Sequence, residues 1–148
     1  MGCNSHLSIE IQGRWSHSPS KWDTWAIDLP ESRDYYLYEA MAGVRGEDEN
    51  AIATPRGVPV DASSQVKFWC ERAGDDGHSH SWLYPSEFTE AIIKSDKRFA
   101  EEVKRSKYPA DPERGHTDKA WLSLDKVLKA LAEVYGDENV RLVFFFDN

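Results

Sequence analysis

Val140 to Asn148, VRLVFFFDN, closes the chain on a nearly continuous apolar run with Asp147 and Asn148 at its very end. A short run of this kind, nearly continuous in apolar side chains, predicts a strand that lies inside a sheet. At the other end, His6 to Gln12 (HLSIEIQ) alternates polar and apolar residues. Leu7, Ile9 and Ile11 then share one face with Cys3, while Asn4, His6, Ser8 and Glu10 point the other way. Trp22 to Asp28 (WDTWAID) predicts a shorter strand, joined to the first by the polar hairpin loop RWSHSPSK.

Between these ends the pattern is mainly helical. Asp34 can cap a short helix over Tyr35 to Ala42 that Gly43 ends, and VRGEDEN after it reads as an exposed acidic loop. Two prolines and a glycine make Thr54 to Asp61 (TPRGVPVD) a loop, whereas Ser64 to Arg72 suits helix or strand equally. Pro85 and Ser86 start a helix through about Arg105 with Phe88, Ile92 and Phe99 on one stripe, and SKYPADPERGHTD reads as a loop. From Ser123, as cap, Leu124, Val127, Leu128, Leu131, Val134 and Tyr135 recur at helical spacing until Gly136. Strands at both ends with helices between them predict an α+β fold. It is expected as a single domain over 1–148, its sheet containing both terminal strands and packed against two main helices.

At 148 residues the chain can build one core without metals or disulfides. Its formal charge of -8 argues against a protein that coats long nucleic acid, since affinity for phosphates along a backbone needs an excess of Lys and Arg. A small anionic ligand held by a few local arginines remains compatible. There is no signal-peptide segment and no apolar run of membrane-spanning length, so a soluble chain without a membrane partner is expected. Cys3 and Cys70 are the two cysteines and are expected as free thiols.

The stretch Asp75 to Leu83, DDGHSHSWL, concentrates chemistry behind a glycine turn. Two histidines beside a phosphodiester can serve as base and acid, with Ser79 or Ser81 donating a hydrogen bond to a phosphate oxygen. Alternation in an extended segment would aim His78 and His80 at one site; the plain alternative is a solvated polar loop. At the termini, Cys3, His6 and Asp147, with His17 or His78, are metal-ligand types, but their spacing matches no known ligand pattern and no metal is assigned. Adjacent terminal strands would instead let Asp147 orient the His6 imidazole. Arg45 and Arg56 each sit beside glycine, where a planar fork can approach a phosphate, and salt bridging at the surface is the alternative. Of the six tryptophans, Trp82 is the candidate for stacking on a base because of its neighbours. No motif names a cofactor.

Five elements in order, MGCNSH, Ala42-Gly43-Val44-Arg45, Pro55 to Ser63, Gly77 to Leu83 and Arg141 to Asn148, resemble a family of small, mostly uncharacterised proteins encoded by bacteriophages and prophages. The resemblance spans the whole chain. It departs at Asn4, where that family usually has Asp, so a role depending on a carboxylate there does not carry over. By analogy with other small phage proteins, the resemblance implies an inhibitor of nucleotide-signalling immunity in the host cytoplasm. The leading expectation is an enzyme that cleaves a cyclic dinucleotide such as 3′3′-cGAMP and blocks CBASS-type signalling. The alternatives are a sponge that sequesters a cyclic dinucleotide or cyclic ADP-ribose relative, and a protein-binding inhibitor using the acidic surface. Whether several subunits form a homo-oligomer around the pocket is left open by the residues.

Overall fold

The computed structural model describes residues 2–13, 19–27, 33–107 and 116–148. Trp15, His17, Asp28 and most of the loop after Lys107 lie outside them. Among the described residues four strands form one antiparallel sheet: β1 (Asn4–Ile11), β2 (Asp23–Ile27), β3 (Gly77–Leu83) and β4 (Val140–Asp147), in the order β2-β1-β4-β3. The two terminal strands are therefore the two central ones. They pair from Asn4 opposite Asp147 to Ile11 opposite Val140.

Central placement explains the composition of β4. Val140, Leu142, Phe144 and Phe146 enter the main core with Leu7, Ile9 and Ile11, beneath three helices: α1 (Tyr35–Ala42), α3 (Pro85–Arg105) and α4 (Lys119–Tyr135). Val143 faces the opposite way and packs with Ala62 and Val66 of a second, smaller core under α2 (Ser64–Ala73). A strand covered on both sides cannot alternate, so it reads as one apolar run. The long helices α3 and α4 are the expected pair; α1 joins them, and α2 covers the reverse face.

Local signals set the helix ends. The Asp34 carboxylate accepts from Leu37 N–H at 3.0 Å, and Gly43 (φ 72°) turns the chain out of α1 in the left-handed region. Ser63 caps the undecided segment 64–72 as a helix, its Oγ accepting from Val66 N–H at 3.2 Å. Ser63→Ala should lower stability by about 1 kcal/mol, read as a shifted urea midpoint. No shift would mean that the bonds of the Ser63 hydroxyl to Val66 N–H and to Thr24 add nothing net to stability.

Two expectations need correction. The helix read from Ser123 begins at Lys119 with Asp118 as its cap, accepting from Ala120 N–H at 2.8 Å. Its buried stripe is Trp121, Leu124 and Leu128, whereas Val127, Val134 and Tyr135 are exposed. The other concerns β3. It is extended, but a bulge between His78 and Ser81 breaks the alternation, with Ser79 at φ 52°. His78 and His80 consequently do not share a face. Among the described residues no helix is long and apolar enough to cross a membrane.

The arginine inside β4 has a specific solution. Arg141 is buried against Glu10 on β1, itself fully buried, with Nε and Nη2 at 2.7 and 2.6 Å from Oε2. Its Nη1 reaches Asp61 at 2.8 Å, and its guanidinium lies 3.8 Å from the Trp22 ring centroid. The other Glu10 oxygen accepts from Ser63 N–H at 2.8 Å. This network fastens the Pro-Arg-Gly loop and the start of α2 to the outer face of the sheet.

Candidate functional site

Antiparallel register brings three chain segments to one end of the sheet, where Asn4, Asp147 and Gly77 lie side by side on β1, β4 and β3. His6 lies one pleat inward on the same face as Asp147, so its imidazole reaches the carboxylate: Nε2 is 2.8 Å from Oδ2. The other oxygen accepts from Asn4 N–H at 3.2 Å. Burial alone would raise the Asp147 carboxyl. Hydrogen bonds from His6 and Asn4 and the His6 charge outweigh it and hold the pKa below the ordinary carboxylate value. Asp147 is thus an anion that fixes the orientation of His6.

His6 pairs across the sheet with Phe145, and their rings stack at 4.6 Å and 14°. On the other side of Phe145, from β3, the His80 ring stacks at 5.0 Å and 24°. The bulge produces this arrangement, giving His80 to the Phe145 face. His78 is left stacked with Phe146 on the opposite face at 6.2 Å, its Nδ1 3.0 Å from Ser79 Oγ. Nε2 of both His78 and His80 is buried without a hydrogen-bond partner. Burial first, and then the charge of His78, hold the His80 pKa below the usual imidazole value. The pair that the fold brings to one face is therefore His6 and His80, not His78 and His80.

Cationic groups border this end from the helical side. Arg33 Nε donates to Asn4 Oδ1 at 3.0 Å, and Arg45 Nη2 donates to Asn148 Oδ1 at 3.2 Å. Arg45 adopts φ 63°, and its guanidinium sits 5.9 Å from the Tyr35 ring. Cys3 lies beneath, fully buried; burial pushes its thiol up more than the Arg45 hydrogen bond and charge pull it down. That thiol is neutral near pH 7 and suits packing rather than attack. Asn4 offers Arg33 its amide oxygen.

Other anticipated residues lie elsewhere or point inward. Arg56 holds Glu87 through two bonds of 2.6 and 2.8 Å and donates to Trp82 O at 3.1 Å. Its guanidinium covers the Trp82 ring at 4.6 Å, while Tyr84 meets that ring edge-on. Ser81 is fully buried and accepts from Arg56 N–H at 3.1 Å. Arg56, Ser81 and Trp82 together anchor the Pro-Arg-Gly loop to β3, away from the His6 carboxylate pair. Ser79, at the bulge, is the partner of His78 rather than part of the His6 and His80 face.

Phe145 and Arg33 were not singled out from the sequence. Phe145 follows once antiparallel terminal strands are assumed with Asn4 opposite Asp147, since His6 must then face it. Arg33 has no comparable signal. Among the described residues no group of three or more His, Cys, Asp or Glu side chains is arranged to hold a metal ion. No protein-family model, curated protein or solved structure matches this chain.

Proposed function

We propose that the protein opens a phosphodiester of a cyclic dinucleotide signal, of the 3′3′-cGAMP kind, at this sheet end. On that reading it is a phage anti-defence protein acting in the host cytoplasm against CBASS-type immunity. The observation that carries the chemistry is the His6 and His80 pair flanking Phe145, with Asp147 bonded to His6. The phage setting comes from the five-element resemblance.

The roles follow from the environments. His80, held neutral by burial, takes the proton from the attacking hydroxyl, either water or the neighbouring ribose 2′-OH. Oxygen bonds to phosphorus as the bond to the ribose oxygen on the far side breaks. His6, whose Nε2–H donates to Asp147, gives the proton carried on its other ring nitrogen, Nδ1, to that leaving oxygen, so His80 takes up one proton and His6 releases one. Arg45 supplies the fork for the phosphate oxygens, and Arg33 adds a second local cation. Local charge is needed because the chain as a whole carries -8 and repels an anion at long range.

Incubation with a panel of cyclic dinucleotides, followed by heating and chromatography, tests the reading. New products support cleavage. Intact ligand released only on heating would replace the enzyme by a sponge, and unbound intact ligand throughout would leave a protein-binding inhibitor.

A pH profile gives a further expected outcome. Because the base must be neutral, the ascending limb of kcat/KM should lie below the ordinary imidazole pKa of about 6.5. His78→Asn removes the neighbouring charge and should move that limb upward, toward the ordinary value. A limb unmoved in this variant would mean that another group is the base.

A further inference from the structure

Asn4 serves two partners at once. Its backbone N–H holds Asp147 Oδ1 at 3.2 Å, while Oδ2 of the same carboxylate holds His6 at 2.8 Å. Its side-chain oxygen accepts from Arg33 Nε at 3.0 Å. One chain of hydrogen bonds therefore fixes the Arg33 side chain relative to the His6 imidazole. We infer that Arg33, seated on the backbone of Gly2 and steered by Asn4, is a preset clamp for a phosphate group of the ligand. The inference rests on the reading of the ligand as a nucleotide phosphodiester, and it adds which residues form a phosphate contact and how they are set for it.

The seat is the first observation. The flat face of the Arg33 guanidinium lies where a Cβ on Gly2 would have to be, overlapping Nη1 and Cζ and crowding Nη2. Any side chain at position 2 would push the guanidinium away, so glycine is what leaves the cradle open. The second observation is the manner of attachment. Nε is taken by Asn4, whereas Nη1 and Nη2 make no hydrogen bond or ion pair among the described residues. With its face against Gly2 and Nε bonded, the guanidinium keeps its Nη1 and Nη2 edge for two oxygens of one phosphate. Asn4 orients the cation without neutralising it, because an amide carries no charge. Arg56 and Arg141, by contrast, end on the carboxylates of Glu87 and Glu10. The third observation is place. Arg33 is exposed, and its charge and that of Arg45 both act on the Cys3 thiol beneath them, so two cations border the sheet end that carries His6 and Asp147. A guanidinium held in advance loses less side-chain freedom when the anion arrives than one that must be ordered by it.

Titration with ribose 5-phosphate and with ribose, followed through the nitrogen and proton resonances of the Arg33 Nε–H group, tests this. Neither probe contains a diester, so binding is read apart from cleavage. The signal is assigned by its loss in Arg33→Gln. In wild type it should shift as ribose 5-phosphate is added and stay in place with ribose at the same concentrations. Arg33→Gln should weaken binding of ribose 5-phosphate about 10- to 100-fold, the range for hydrogen bonds to a charged group. Gly2→Ala keeps every charge but moves the guanidinium off its seat, and it should lose most of the same factor. Gly2 precedes β1, so the sheet is left intact, as circular dichroism will show. An Arg33 signal that ignores ribose 5-phosphate, or a Gly2→Ala protein that binds it as tightly as wild type, would overturn the inference. A wild type that cleaves dinucleotides while lacking both effects removes only the clamp. Both effects without cleavage remove only the phosphodiesterase reading.

Discussion

His6→Ala and His80→Ala are each expected to lower turnover of a cyclic dinucleotide by a factor of about 10²–10⁴, the range for loss of a positioned acid or base. Their effects should not multiply, because a base without its acid partner already leaves the reaction near its floor. The fold should survive both changes. His6 is exposed, and His80 lies on the edge strand outside the main core. Asp147→Asn should cost less than His6→Ala, since an amide can still accept the His6 N–H while losing the charge. Cys3→Ser, by contrast, places a hydroxyl in a buried apolar setting and should alter stability rather than turnover. Wild-type turnover in both histidine variants, with unchanged circular dichroism, would dismiss the acid and base assignment.

The largest effect on stability is expected at Arg141. Changing it to Leu leaves the Glu10 carboxylate fully buried with no cation beside it, which costs about 3–5 kcal/mol. That is a large share of the roughly 5–15 kcal/mol available to a domain. Arg141→Leu with Glu10→Leu removes both charges and should recover most of the loss, because two apolar side chains of similar volume need no desolvated partner. Asp61 limits the recovery, since it loses its bond from Arg141 and keeps the one from Trp22 Nε1 at 2.8 Å. Urea unfolding of the single and double variants is the measurement. A single variant within about 1 kcal/mol of wild type would mean that Glu10 is protonated or solvated in the fold.

Arg141 also marks the limit of what the sequence displays. The apolar run around it and the alternation of Leu7, Ile9 and Ile11 are enough to place both terminal strands in one sheet. From that placement His6 meets Asp147. The caps at Asp34, Gly43 and Gly136 are legible because each is a local arrangement of side chain and backbone. Glu10 and Arg141 could have been matched as opposite charges inside two central strands, but only after their pairing was known.

The facing of the histidines was not legible at all. It depends on the bulge at Ser79, and the Pro-Arg-Gly loop meets β3 there, with Gly57 N–H donating to His80 O at 2.9 Å. No period within GHSHSWL shows that contact. The same loop takes Arg56, Ser81 and Trp82 into its own anchoring, so residue types suited to phosphates and bases serve to hold the backbone that sets the bulge. Segment 64–72 stayed undecided because only Val66 in it is buried, too little for an apolar period. In α4, Ser123 and Asp118 are both capping types, and tertiary burial of Trp121 decides for the earlier one.

The central claim is that the end of the sheet where the two chain termini meet breaks a phosphodiester. Phosphorus NMR of 3′3′-cGAMP incubated with the wild-type protein reads that event directly. A falling diester signal, with a phosphomonoester or cyclic phosphate resonance rising in its place, and neither change with His80→Ala, is the predicted result. Diester resonances that keep their full intensity after prolonged incubation with stoichiometric, folded wild type, whether broadened by binding or not, would contradict it.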